Sequence, residues 1–364
     1  MFSQNETLRY SRHFPVIGLE GQAALKEAKI LCVGAGGLGS ASLPYLAAAG
    51  IGTIGVMDGD DIELSNLQRQ ILFRESQIGQ NKAKIACQNL SEINSTIKLN
   101  AYEDHLDEKN AEDIIQEYDL ILDATDNFDA RYLINRYSRL YGKPMVSSSI
   151  FQFDAQLSVF NYQDGPCYQC LYPERPPSDL IPNCALGGVL GVLPGVMGTL
   201  QANEVIKILL NKGEVLSGRL MAMDLLSMRM RFFEVDKNKT CSKYDCAPIK
   251  KSSEDIQKMI DIAEIQPEAL KTLLSSEEIY LIDVREPFER QICHIGGRHI
   301  PLGQLENHYD DFPRDKKIIM YCKSGGRSRK AADLLQQAGF QNVFSLTGGI
   351  LAWADVIDPS LHKY

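Results

Sequence analysis

Five residues, Lys29–Val33, four of them apolar, run without interruption into Gly34-Ala35-Gly36-Gly37-Leu38-Gly39, and the segment Leu38–Ala49 then carries apolar residues at a helical period. A short apolar run followed by glycines this dense reads as a strand, a tight turn and a helix. One such unit cannot bury its own apolar face, so the pattern has to recur. Further runs at Thr53–Met57, Ile97–Ala101, Asp119–Asp123 and Pro144–Ser148 alternate with helix-period segments at Lys82–Ile93 and Asn127–Tyr141. This alternation predicts an α/β fold built on a Rossmann-like, doubly wound, mostly parallel sheet. Runs at Gln156–Phe160 and Arg219–Met223, with a helix near Val196–Leu210, extend the same unit.

Around Ala247–Asp261 the chain turns polar and charged, which reads as a linker over 247–262 between a first domain at 1–246 and a second at 263–364. The second has strands near Ile279–Asp283 and Lys317–Tyr321 and a helix at Gly326–Ala338, a small α/β unit. Apolar residues make up 44% of the chain, enough for two cores. The net charge of −9 argues against binding nucleic acid, because a polyanion is held mainly by clustered cations. Leu180–Asn203 contains no charged residue and is long enough to span a bilayer, but Pro182, Pro194 and five glycines suit a buried loop and core helix better, so no membrane is expected. Pro194 is expected to interrupt a helix there. Nine cysteines, an odd number, and an N-terminus without an apolar signal core point to a reducing, cytoplasmic compartment.

The turn satisfies G-x-G-x-x-G, a pattern that lets backbone N–H groups approach a phosphate at a helix N-terminus. Asp58 at the end of the second strand can accept hydrogen bonds from ribose hydroxyls. Alone, these features favour NAD and an oxidoreductase, with the second unit as a redox-sensing appendage. The segment Ser65-Asn66-Leu67-Gln68-Arg69-Gln70, then Lys82 opening a helix, and Asp126 in Asp123-Ala124-Thr125-Asp126-Asn127, favour another ligand. Two cations and a carboxylate at the carboxyl ends of strands suit a triphosphate with Mg²⁺.

The turn GAGGLGS, the segments DGDDIELSNLQRQ and ATDNFDAR, the Lys82 region, the leader RYSRH and the stretch NCALGGVLGVLPGVMGTLQANEVIK together resemble the MoeB/ThiF family of ubiquitin-activating-enzyme-like adenylyltransferases over residues 5–246. The resemblance implies ATP-dependent adenylation of the C-terminal Gly-Gly carboxylate of a small ubiquitin-like sulfur carrier. It assigns Gly37, Asp58, Ser65, Asn66, Leu67, Gln68, Arg69, Lys82, Asp126 and Asn127 to ATP, and makes Arg12 an arginine reaching the phosphates from the partner subunit of a homodimer. The residue types agree: adenylation brings two anions together, so cations and Mg²⁺ are needed and a proton-abstracting base is not.

The cysteines divide by context. Cys167 and Cys170 form C-x2-C, and Cys241 and Cys246 form C-x4-C; four thiolates can clip a tetrahedral Zn²⁺, and reduced structural thiols are the other reading. The resemblance supports zinc, although the second pair departs from the family's two C-x2-C pairs. Cys184 reads as a small buried hydrophobe, while its position matches the family's loop cysteine that bonds to the activated carrier. Cys322 opens Cys322-Lys323-Ser324-Gly325-Gly326-Arg327-Ser328 between a strand and a helix, where backbone N–H groups, the helix N-terminus and Arg327 would favour a thiolate or persulfide. With Asp283-Val284-Arg285-Glu286-Pro287, His294-Ile295 and Gly348 to Trp353, the loop resembles a single-domain rhodanese over 263–357; a phosphatase-like anion loop or an inactive rhodanese is the alternative. Cys293 and Arg298 stand where that family has glycine and alanine.

The fusion of the two units implies a sequence of reactions. The first makes the carrier acyl-adenylate, and Cys322, charged by a cysteine desulfurase or by thiosulfate, supplies a persulfide that displaces AMP. Cleavage of the acyl disulfide, with Cys184 as the candidate, leaves a thiocarboxylate for molybdopterin, thiamine or tRNA thiolation.

Overall fold

The computed structural model of the chain describes residues 2–175, 188–242, 263–274 and 279–361, so the expected linker over 247–262 lies outside the described residues. Two compact units are present, Met1–Ile249 and Lys250–Tyr364.

The first unit is built on one eight-stranded sheet in the order β3 (Lys98–Tyr102), β2 (Thr53–Met57), β1 (Lys29–Val33), β4 (Leu120–Asp123), β5 (Met145–Phe151), β6 (Asp154–Phe160), β7 (Arg219–Asp224), β8 (Arg229–Glu234). The five strands from β3 to β5 are parallel and the last three are antiparallel. Both faces of the parallel part are covered, which is why its strands are apolar throughout. Along β1, Ile30 and Cys32 face one core with α3 (Gly37–Ala49) and α8 (Val192–Leu210), while Leu31 and Val33 face another with α5 (Ala111–Ile115) and α6 (Phe128–Leu140). Among the described residues the remaining helices of this unit are α1 (Gln4–Arg9), α2 (Phe14–Glu27), α4 (Lys82–Ile93) and α7 (Tyr168–Leu171).

Two sequence expectations change here. Helix α8 starts at Val192 and contains Pro194, which does not interrupt it. Proline occupies the first turn, where an N–H has no intrahelical acceptor to lose. Strand β8 was not foreseen, because all six of its residues are exposed and no buried face imposes an alternating pattern.

The second unit holds a five-stranded parallel sheet in the order β11 (Arg298–His299), β10 (Ile279–Asp283), β12 (Lys317–Tyr321), β13 (Val343–Leu346), β9 (Glu264–Ile265). Helices α9 (Pro267–Leu273), α10 (Pro287–Ile292), α11 (Gly326–Gln337) and α12 (Gly349–Val356) accompany it. Ile282, Ile318, Met320 and Leu335 pack in one core, and Leu281, Ile319, Tyr321 and Trp353 in another. Among the described residues no helix is long and apolar enough to cross a membrane.

Candidate functional site

Strand order reverses between β1 and β4, and ligands of open α/β sheets bind in the crevice beyond such a point. The register sets the ends of the strands level, with Val33 opposite both Met57 and Asp123. Gly34, Asp58 and Ala124 therefore leave the sheet side by side. Gly34 has φ +97°, and a Cβ there would lie 2.6 Å from the Ala124 carbonyl oxygen, so only glycine lets the two loops touch. The N-cap of α3 is Gly36, which supplies no side-chain hydrogen bond, and the first turn of the helix keeps its N–H groups for another acceptor.

Asp58 braces this turn. Its Oδ2 accepts the Ala35 N–H at 2.7 Å and its Oδ1 accepts the Asp60 N–H at 3.0 Å. Burial pushes its carboxyl above the usual carboxylate value, opposed by those two N–H groups and by Lys82. Lys82 is itself buried, with Nζ 2.8 Å from the exposed carboxylate of Asp60. Asn81 fixes the start of that helix, accepting the Lys84 N–H while donating to the Asp58 carbonyl. Arg69 approaches from the other side. It follows the 3₁₀ turn Leu64–Asn66, donates to the Ser65 carbonyl at 3.0 Å, and would have its Cγ 3.6 Å from a Cβ placed on Gly37. That same Cβ would lie 3.0 Å from Pro194 of α8, so Gly37 is small because a helix and a loop both close on it. Around Arg69, Asn66 is buried, Leu67 half-buried, and Ser65 and Gln68 exposed.

Asp126 and Asn127 emerge from β4 into solvent; Asn127 caps α6 by accepting the Ala130 N–H, and Asp126 makes no hydrogen bond or ion pair among the described residues. Gly37, Asp58, Arg69 and Lys82 are thus brought to one crevice, with Asp126 on the loop that Gly34 touches. Arg12 is exposed in the turn between α1 and α2 and makes no ion pair among the described residues. Cys184 lies outside the described residues.

Asp123 and Arg131 shape the site from beneath without any motif that marks them. Asp123, fully buried, accepts from the Thr125 N–H and Oγ1 and, at 2.5 Å, from the Ser147 Oγ, and pairs with the Arg131 guanidinium at 3.3 Å. Arg131 also donates to the carbonyls of Thr125 and Ser148. This buried pair sets the path of the loop that carries Asp126. The available signal was a carboxylate ending the apolar strand LILD, where a buried charge needs a partner.

The sulfurs of Cys167, Cys170 and Cys241 lie within 4.8 Å of one another, although 71 residues separate the last two in sequence. Sulfurs at 3.5 and 3.7 Å from Cys167 are too far apart for disulfides and match the edge of about 3.8 Å implied by four Zn–S bonds of ~2.3 Å. The Asn238 N–H donates to Cys170 at 3.3 Å, as an N–H would to a metal-bound thiolate. The donor set fits zinc, and Cys246 lies outside the described residues. Burial pushes the thiols of Cys32 and Cys87 up, the latter to about 11, which leaves both protonated and structural.

In the second unit Cys322, 1% exposed, directly follows β12. The Gly325 N–H donates to its Sγ at 3.1 Å, and the N–H groups of Ile350 and Leu351 at the start of α12 hold the carbonyls of Cys322 and Lys323. Behind it lies a buried network in which Asp283 pairs with Arg285 at 2.7 Å and accepts the Tyr321 hydroxyl at 2.9 Å. Arg327 has a carboxylate partner that the spacing of residues does not reveal. Its guanidinium grips Glu289 through two bonds of 2.5 and 2.8 Å, both side chains largely buried, so its charge is already balanced by a carboxylate. Through this pair Arg327 anchors the loop to α10.

A model of the ThiF family matches residues 10–243, and one of the rhodanese-like domain matches 266–355. The probable adenylyltransferase/sulfurtransferase MoeZ of Mycobacterium tuberculosis is 40% identical, with 100% of this chain and 96% of that protein covered. The adenylyltransferase and sulfurtransferase MOCS3 of Xenopus laevis is 38% identical, with 99% and 88% covered. Among solved structures, E. coli MccB with ATP is similar to the first unit, with a TM-score of 0.57, 25% identity, and 67% of this chain and 75% of that chain covered. The chain therefore belongs to the ThiF family, as an adenylyltransferase whose rhodanese-like domain makes it a sulfurtransferase as well.

Proposed function

We propose that this chain adenylates the C-terminal Gly-Gly carboxylate of a small ubiquitin-like sulfur-carrier protein with ATP, and then replaces AMP with sulfur carried on Cys322. The supporting observation is the meeting of the uncapped α3 N-terminus, Asp58, Arg69 and Lys82 at the β1/β4 switch point, in one chain with the Cys322 loop. A dinucleotide would have no use for the two cations.

In this reading the carboxylate attacks the α-phosphate and pyrophosphate leaves. The α3 N–H groups, Arg69 and Lys82 stabilise the phosphoryl charge as it redistributes. Their present partners, the Ser65 carbonyl and exposed Asp60, are ones a triphosphate can displace. Asp58 accepts from the ribose, while Ser65, Asn66, Leu67, Gln68 and Asn127 line the nucleotide. Asp126 would hold Mg²⁺, which would supply positive charge against that of the phosphates. Arg12 completes the site from the partner of a homodimer, which agrees with its exposure here. Cys167, Cys170 and Cys241, with Cys246, would hold a structural Zn²⁺; metal analysis should find one per chain. A cysteine desulfurase or thiosulfate charges Cys322, Cys184 assists release, and the product serves molybdopterin, thiamine or tRNA thiolation in the cytoplasm.

The test is intact-mass measurement of candidate carriers incubated with the chain, ATP, Mg²⁺ and thiosulfate. A thiocarboxylate adds about 16 Da as sulfur replaces oxygen in this covalent chemistry. No gain on any carrier that the chain adenylates would defeat the proposal.

A further inference from the structure

Ser328, in the first turn of α11, is fully buried. Its Oγ lies 3.5 Å from Cys322 Sγ, 3.0 Å from the Gly325 carbonyl oxygen and 2.8 Å from the Oγ of Ser345 on β13, which is 1% exposed. A hydroxyl has one proton to give, so Ser328 serves only one of these acceptors at a time. A serine bonding the carbonyl three residues back is a common local arrangement and by itself says nothing about sulfur. Ser345 is what separates the two readings. Among the described residues its hydroxyl has no acceptor but Ser328, so it donates there, and the Ser328 proton is left to choose between Gly325 and Cys322.

We propose that Ser328, backed by Ser345, is a catalytic hydrogen-bond donor to the Cys322 sulfur that engages when that sulfur becomes charged. This inference rests on the reading of Cys322 as the sulfur acceptor. In loading, the Cys322 thiolate attacks the outer sulfur of thiosulfate, the S–S bond of thiosulfate breaks, and sulfite departs with the electron pair. The negative charge then sits on the new outer sulfur, Sγ is a neutral acceptor, and Ser328 turns to the Gly325 carbonyl. In delivery, a nucleophile attacks the outer sulfur, the bond to Sγ breaks, and Sγ leaves as a thiolate holding the pair. A charged acceptor outbids a carbonyl, so the Ser328 hydroxyl swings to it as the bond breaks. An interaction made in the transition state and absent from the loaded state lowers the barrier. The Gly325 N–H has no such choice and is aimed at Sγ throughout.

The experiment measures the two half-reactions of the full chain in single turnovers: sulfite release on mixing with thiosulfate, and thiocyanate formation when the loaded chain meets cyanide. Ser328→Ala should slow delivery by about tenfold or more, the worth of one hydrogen bond to a charged group. Loading should change by less than about threefold, because the unassisted thiolate is also the better nucleophile. Ser345→Ala should show the same asymmetry at about threefold, as a neutral bond one step removed. Equal losses in both halves would mean a misshapen loop and overturn the proposal, as would native delivery by both variants. A native chain that releases no sulfite would instead overturn the reading of Cys322 itself.

Discussion

At the end of β1 the following helix opens on Gly36 with no side-chain cap, and the nearby cations have provisional partners: Arg69 a carbonyl of its own turn, Lys82 an exposed carboxylate. At the end of β12 the sulfur is already met by the Gly325 N–H, and the loop's arginine is fixed to buried Glu289 by two bonds. Both places use strand ends and backbone N–H groups against negative charge. They differ in when that charge arrives. On the proposed function the first site admits a large polyanion and releases it, which suits cations kept on exchangeable partners. On the same reading the second keeps its cysteine sulfur throughout, which suits a loop fixed in advance with its arginine held by Glu289. Binding and holding are different electrostatic tasks, and the placement of the acidic partners records which one a loop performs.

Cys322→Ala should give the largest effect, removing thiocarboxylate formation entirely while ATP–pyrophosphate exchange stays within about twofold, the range expected of sites that share no partner. Loss of exchange in that variant would break the separation of the two sites. Asp126→Ala should lower carrier-dependent exchange by about a hundred- to a thousandfold, as removal of a transition-state charge partner does, and leave stability within about 0.5 kcal/mol because the residue is exposed. Native exchange would dismiss its role. Glu289→Ala should do the reverse in the second unit. Removing the buried carboxylate that holds half-buried Arg327 should destabilise that unit by about 3 kcal/mol, read in denaturant unfolding, and adenylation should be spared; a stability change under 1 kcal/mol would show that the loop's arginine is as exchangeable as Lys82.

Acid gives the mildest contrast. Glu6 of α1 bonds Lys26 at 2.6 Å and the Ser3 N–H at 2.8 Å, and these hold its carboxyl at about 2 instead of the usual 4.5. A carboxyl depressed in the folded state contributes stability above its unfolded value and loses it as pH falls from 4.5 towards 2. With Lys26 well exposed, the contribution is about 1 kcal/mol. Unfolding of Glu6→Gln should therefore depend less on pH across that window than the native chain does; parallel pH curves would remove the ion pair from the balance of the first unit.

How much could be read in advance depended on whether a feature is local. The strands β1 and β2 and the helix α4 appear with the limits their apolar spacing predicts, because each is buried on a defined face. Strand β8 could not be foreseen, since full exposure leaves no pattern to read. Pro194 was misjudged because a proline's effect depends on its place in the helix, and that place is set by where α8 packs on Gly37.

By itself the sequence determined the two glycine-bearing turns and the cysteine that one of them presents, because a tight turn from strand to helix is a matter of backbone sterics over a few neighbouring residues. Tertiary structure alone decided the partners of the charges and hydroxyls: Glu289 for Arg327 across 38 residues and Ser345 for Ser328 across 17. Such pairings are chosen when distant elements exclude water between them, where an unmatched polar group is costly, and nothing in the local spacing of residues announces which one will be there.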